Sequence, residues 1–300
     1  MKRLFILATA AIVALASCAK TEVVYTDAPE EIAFKQVTNV MTKVTAGLAN
    51  QDMSVFAYVG GSSYFGNTEF AYNDGKSAYV ASEAKYWPAS GTVNFIVWAP
   101  YDADVTSASA TQLAGISKDT DEQIDVLYGT VSATKQDAAV NVDLNHALSL
   151  VQINIAGSEN VKLVNVELLN SVQKATAAVN TDAVDPNPAV VWTPDATNPK
   201  KAAVSLYTPT DNVNGDALSS TPKECTDYIV VPVATNEATI RLSYKMGSDA
   251  ALLTYETAAA LGEWEPGMKY VYNISVGASE IKLTPVAPAQ WGNGGSVDSL

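Results

Sequence analysis

Short apolar runs separated by turn residues are what this chain has to fold with. Beyond its N-terminal stretch, β-branched and aromatic side chains recur in brief blocks, and Gly, Pro, Asn or Asp closes most of them. Helical spacing at i, i+3, i+4 and i+7 is not sustained anywhere, apart from a short Ala258-Ala259-Ala260-Leu261. The period is that of strands. Ile32 to Val37 reads as a first strand, followed by a loop from Thr38 to Asn50. Ser54 to Val59 ends at Gly60-Gly61, and Phe70-Ala71-Tyr72 runs into Asn73-Asp74-Gly75, a hairpin-type turn whose glycine tolerates positive φ. In Val93 to Pro100, Val93, Phe95 and Val97 point one way while Asn94, Ile96 and Trp98 point the other, so both faces are expected to be covered. Asp125 to Gly129 reads as a short strand ending in a turn, and His146 to Ile155 as a long one with Val151, Ile153 and Ile155 on its apolar face. Val161 to Leu169, Asp227 to Pro232, Ala238 to Tyr244 and Tyr270 to Val276 continue the pattern, while residues 182–200 read as a Pro/Asn-rich loop around Val190-Val191-Trp192. Many short strands with turn residues between them predict all-β sandwiches.

The N-terminus obeys a different rule. Met1-Lys2-Arg3 is followed by a run from Leu4 to Leu15 that is apolar except for Thr9. A bilayer span needs ~20 such residues, whereas the core of a secretory signal needs ~7–15. Leu15-Ala16-Ser17-Cys18 closes the run and resembles a bacterial lipobox, in which the cysteine is acylated and becomes the first mature residue. Residues 1–17 are therefore expected to be a lipoprotein signal peptide and Cys18 the lipidation site. Residues 18–31, polar, acidic and Pro-containing, read as a flexible linker to the fold. The 283 residues that follow the signal suit two domains, taken as residues 32–141 and 142–300.

Charge and rare residues narrow the function. Loss of residues 1–17 removes Lys2 and Arg3 and no acid, leaving 16 basic against 32 acidic side chains, a net charge of −16. Such a chain has no means of holding nucleic acid through its phosphates. If Cys18 carries lipid, Cys225 has no disulfide partner. The single histidine, His146, argues against most nucleophile–histidine and zinc chemistry. His146 is expected to be structural.

Candidate sites are few. Asp119, Asp121, Glu122 and Asp125 suggest a calcium loop, but an EF-type loop from Asp119 needs Gly and Glu where Ile124 and Thr130 stand. They are read as a solvated acidic loop. Glu263 and Glu265 flank Trp264 in a turn and are read as solvent-facing rather than as a glycosidase pair. The five Trp and 14 Tyr are assigned mainly to cores, not to a sugar platform. Catalytic, metal-binding and cofactor-binding residues are not expected, and no enzyme activity is.

Taken together, the order and spacing of several pieces resemble the fimbrillin family, lipoprotein subunits of type V fimbriae in Bacteroidales. The pieces are the lipobox at Cys18, Tyr86-Trp87-Pro88, Phe95 to Pro100, Asp125 to Gly129, His146-Ala147-Leu148-Ser149, Tyr228 to Pro232, and Trp264 to Tyr272 with Trp291. The resemblance covers essentially the whole chain. It implies two transthyretin-like β-sandwich domains in tandem and delivery to the cell outer membrane as a lipoprotein. It also implies a protease cut behind the first strand and polymerisation by strand exchange into a surface-exposed fimbrium that supports adhesion. The implied partners are other fimbrial subunits, the processing protease, and the outer membrane through the lipid. The usual cleavage residue of the family is Arg, whereas the mature chain has one, Arg241, inside an expected strand. Lys43, in the loop after the first strand, is the matching position, with Lys35 the second choice. The donor strand is placed at the C-terminus, with Ile281, Leu283, Val286 and Trp291 as anchors. The rival reading is a surface glycan-binding lipoprotein of two sandwiches that is neither processed nor polymerised, with coplanar aromatics exposed on one face.

Overall fold

The computed structural model describes residues 29–39, 51–105, 111–113, 123–137, 140–179, 190–196, 203–233, 236–247 and 249–291. Among them every regular element is a β-strand, as the apolar spacing predicts. In chain order these are β1 (Ala33–Asn39), β2 (Met53–Val59), β3 (Ser62–Asn73), β4 (Ala78–Ala81), β5 (Thr92–Ala99), β6 (Thr111–Leu113) and β7 (Leu127–Thr134). They continue with β8 (Val140–His146), β9 (Ser149–Gly157), β10 (Val161–Leu169), β11 (Ala175–Val179), β12 (Val190–Pro194), β13 (Ala203–Tyr207) and β14 (Asp216–Ala217). The last seven are β15 (Lys223–Glu224), β16 (Tyr228–Val230), β17 (Thr239–Met246), β18 (Leu253–Glu256), β19 (Met268–Val276), β20 (Ile281–Pro285) and β21 (Ala289–Gln290).

The first body is a closed barrel in the order β1-β4-β3-β2-β5-β7-β8, with β8 returning to pair with β1. Closure leaves no free sheet edge for a foreign strand to join. The β2–β3 hairpin turns at Gly60 and Gly61, both at positive φ (57° and 80°). That pair of conformations suits a tight hairpin and favours glycine at both sites. The turn at Asn73-Asp74-Gly75 is built differently from expectation. Ser77, not Gly75, takes the positive φ (48°), and the Lys76 amide donates back to both the carbonyl and the side-chain oxygen of Asn73. Gly129 does not end a strand either; it lies inside β7, opposite Val97 of β5. A Cβ there would stand 2.3 Å from the Asp143 carbonyl of β8, so glycine is what lets these two strands approach.

The second body packs two sheets face to face. One runs β13-β10-β17-β18, with β14 also on β10; the other runs β15-β9-β19-β20, with β16 on β9 and β21 on β19. Between them lie Val151, Ile153 and Ile155 of β9 with Leu163, Val166 and Leu168 of β10 and Ile240 and Leu242 of β17. His146 does not open a long strand. It ends β8 of the barrel, and after Ala147-Leu148 the chain enters β9 of the sandwich. The expected division at residues 141/142 thus falls at the start of β8, a barrel strand.

A third apolar core joins the bodies. The faces of β5 and β9 turned away from their own cores contribute Ile96 and Trp98, and Leu150, to a cluster shared with Phe56, Tyr128, Ile229 and Val231. This is why both faces of β5 are covered. Over it lies a small sheet, β12-β11-β6, whose Ala175, Ala177, Val190 and Trp192 complete the cluster. The segment around Val190-Val191-Trp192 is therefore a strand, not loop, paired with β11 over its whole length. Ala258-Ala259-Ala260-Leu261 forms no helix. Polar ties cross the same junction. The Gln123 side-chain amide donates to the Ile229 carbonyl and accepts from the Ile229 amide, both at 2.8 Å. The Trp192 indole N–H donates to the Ala147 carbonyl at 2.6 Å.

Candidate functional site

The first strand is the element on which the implied assembly depends. Within β1 the side chain of Phe34 is fully buried, edge-on to Phe70 and to Phe95 with ring centroids 5.3 Å away in each case. Ile32, just before the strand, is likewise fully buried. Trp87 meets Phe95 edge-on at 5.9 Å, and Phe65 stacks on Phe70 at 6.2 Å, so Phe34 sits at the centre of an aromatic cage. Such edge-to-face pairs add ~0.5–1.5 kcal/mol each beyond the area they bury.

The backbone of β1 is held unevenly. It pairs antiparallel with β4 only at Ala33 and Phe34, and parallel with β8 from Phe34 to Asn39, with an irregularity between Phe34 and Gln36. Its entry is pinned by the Ile32 amide donating to the Lys85 carbonyl at 2.7 Å and the Trp87 amide donating to the Glu30 carbonyl at 3.0 Å. A Lys76–Glu31 ion pair lies alongside at 2.5 Å. Lys35 is exposed within β1. Cys18 and Lys43 lie outside the described residues.

The C-terminal segment occupies the edge of the second sheet, where proline can be carried without loss of a ladder bond. β20 pairs with β19 from Ile281 opposite Val276 to Pro285 opposite Tyr272. Ile281 and Leu283 are half-buried against the sandwich core, and Val286 is exposed, its amide donating to the Val271 carbonyl at 2.9 Å. Trp291 is buried in the shared junction core. All four expected donor anchors thus rest on their own chain.

Other expected sites resolve as follows. Asp119, Asp121 and Glu122 lie outside the described residues. Asp125 is not solvated; it is buried, and His146 Nδ1 stands 3.0 Å and 2.9 Å from its two carboxylate oxygens. Burial pushes the Asp125 carboxyl up, and the hydrogen bond and charge of His146 oppose the rise. Nothing local in the sequence distinguishes Asp125 from its acidic neighbours. Glu263 and Glu265 face solvent on either side of buried Trp264. Among the described residues no group of three His, Cys, Asp or Glu side chains is placed to hold a metal ion. All five tryptophans are buried. Among the described residues the exposed large aromatics are Tyr64 and Tyr86, at 42% and 44%.

A fimbrillin-like family model matches residues 38–291. The chain belongs to this family. No curated protein matches it. Among solved structures, a candidate cell adhesion protein from Bacteroides ovatus is 15% identical with a TM-score of 0.61, covering 88% of this chain and 99% of that one. The tip fimbrial protein Mfa3 from Porphyromonas gingivalis, solved with its C-terminus truncated, is 11% identical with a TM-score of 0.51, covering 87% of this chain and all of that one. A fimbrial protein from Bacteroides vulgatus is 13% identical with a TM-score of 0.50, covering 86% and 99%. At these identities the likeness is one of fold. The chain is accordingly a fimbrial protein by family, and it shares the all-β fold of these structural neighbours.

Proposed function

We propose that this fimbrillin-like protein is a fimbrial subunit made as a lipoprotein precursor, tethered through Cys18 to the outer membrane. It is cut after Lys43 and polymerised by strand exchange. The observation that carries this reading is the place of β1. It is the strand that closes the barrel, with Ile32 and Phe34 fully buried, yet it pairs with β4 at only two positions. A cut between β1 and β2 leaves β1 joined to the fold by non-covalent contacts alone. Its departure opens a slot between β4 and β8, floored by Phe70 and Phe95, with unpaired backbone on both sides. A strand added there takes affinity from main-chain hydrogen bonds and specificity from alternate side chains.

The incoming strand is the C-terminal segment of a neighbour, anchored by Ile281, Leu283, Val286 and Trp291. Burying four such anchors contributes roughly 5–12 kcal/mol, whereas ordering ~10 residues costs about 10–20 kcal/mol. Insertion into an empty slot is therefore not driven by the anchors alone. Exchange for a resident strand is nearer balance because one ladder replaces another, and irreversible proteolysis sets its direction. The burial of all five tryptophans favours this reading over a glycan-binding platform.

Limited trypsin treatment of the purified precursor, with N-terminal sequencing of the product, tests the proposal. The expected result is a chain beginning at Val44 that forms ladders on non-boiled gels and fibres by microscopy. A protein that starts at Cys18 on the cell and stays monomeric after cleavage in this loop would overturn it.

A further inference from the structure

Trp291 belongs to both bodies at once. Its backbone is part of the sandwich: its amide donates to the Gly267 carbonyl at 2.6 Å, and Ala289 and Gln290 before it pair with Lys269 and Met268 of β19. Its side chain is part of the barrel's boundary. The indole lies flat on the imidazole of His146, the last residue of β8, with ring centroids 3.9 Å apart and planes 8° from parallel. His146 cannot swing away freely, because Asp125, just before β7, holds its Nδ1 and both side chains are almost wholly buried. Gly267 of the sandwich also lies against this residue: a Cβ on it would stand 3.5 Å from the His146 carbonyl.

Between β20 and Trp291 the segment is weakly held. Val286 makes one backbone hydrogen bond to Val271, and β21 spans two residues. The grip on the end of the segment is therefore concentrated in the buried indole, and that indole fills the seam between His146 and the β19 side of the sandwich.

We infer that the C-terminal segment is an interdomain wedge: Trp291 clamps the barrel to the sandwich at His146, and a segment that leaves loosens that seam. The wedge is a property of the uncleaved monomer. Its consequence for assembly rests on the strand-exchange reading: a subunit that donates its C-terminal segment loses its own wedge and flexes at the junction, while a precursor that keeps it stays stiff.

The single histidine makes the test direct, because the chain has one imidazole signal in an NMR spectrum. In the uncleaved monomer, stacking beneath the indole shifts that signal upfield. Trp291→Ala is expected to return it to the range of an unstacked histidine. The same variant is expected to raise amide exchange at Ala147, which donates across to Val126, by ~100-fold, while Val97 inside the barrel keeps its protection. Trp291→Phe preserves a smaller ring and is expected to give an intermediate shift; it serves as the test if the alanine variant fails to fold. Unchanged Ala147 protection in a folded alanine variant, whatever the His146 signal does, would overturn the wedge. These readings need no polymer, so their failure leaves strand exchange standing, and a failure to polymerise leaves the wedge standing.

Discussion

Asp216 accepts hydrogen bonds from the Thr210 amide at 3.1 Å, the Thr210 hydroxyl at 2.6 Å, the Asp211 amide at 3.2 Å and the Tyr207 hydroxyl. Lys223 adds an ammonium at 3.3 Å. Burial by itself pushes this carboxyl up, but the donors from Thr210, Tyr207 and Asp211 outweigh it and hold it well below the usual carboxylate range. A carboxyl whose folded value is depressed contributes stability that is complete above its unfolded value of about 4 and is lost as pH falls through the folded value. Asp216→Asn is therefore expected to cost about 1–3 kcal/mol at pH 7, with the cost shrinking below pH ~4. Melting both proteins at pH 7 and pH 3 checks this; an equal penalty at the two pH values would mean that charge is not what binds the loop. Cys225 shows the opposite case. Burial, with the Asp227 charge adding to it, pushes its thiol up to about 12, so the native protein holds an unreactive thiol.

At the scale of elements, β1 and β20 differ in how they are retained. β1 is gripped by side chains: Phe34→Ala removes the centre of the aromatic cage and is expected to lower stability by about 3–5 kcal/mol. The loss should fall mainly on β1, so hydrogen exchange at β1 amides rises more than at β5. Denaturant titration with exchange read at both strands checks this, and equal exchange at the two would show that β1 is not an independent unit. β20 is gripped by its ladder on β19, with Ile281 and Leu283 only half-buried, which suits the donor role proposed for it. β12 carries a third lesson. Prolines and asparagines around it read as loop, yet alternate burial of Val190 and Trp192 is strand periodicity over too few residues to be seen above that background.

For the whole molecule, the junction core decides how the two bodies behave. It holds Trp98 and Tyr128 from the barrel, Leu150 and Ile229 from the sandwich, and Trp192 from the small covering sheet. Bodies that share a core of this kind are expected to unfold together. Cys225, inside the sandwich core, reports on one body, and amide exchange at Phe95 reports on the other. Thiol labelling and exchange are expected to give the same denaturant midpoint. A barrel that stays protected after Cys225 has become reactive would show that the junction does not couple them.

The chain's own residues determine that it is all-β, because short apolar runs at strand period allow no amphipathic helix to form. They also mark β5 as a strand whose two faces both need covering, and β9 as one with an apolar face in Val151, Ile153 and Ile155. What covers them is decided only in three dimensions. One face of each meets its own core and the other meets the core between the bodies, a partition that depends on pairings more than a hundred residues apart, such as Gln123 with Ile229. The same holds for the candidate site. Phe34 and Ile32 are visible as apolar residues of a first strand, but barrel closure, with β1 parallel to β8, makes that strand the one whose loss would open a slot. His146 is legible as a lone residue without catalytic partners. Its contacts with Asp125 and Trp291 come from three separate stretches of chain, and only the tertiary structure could bring them together.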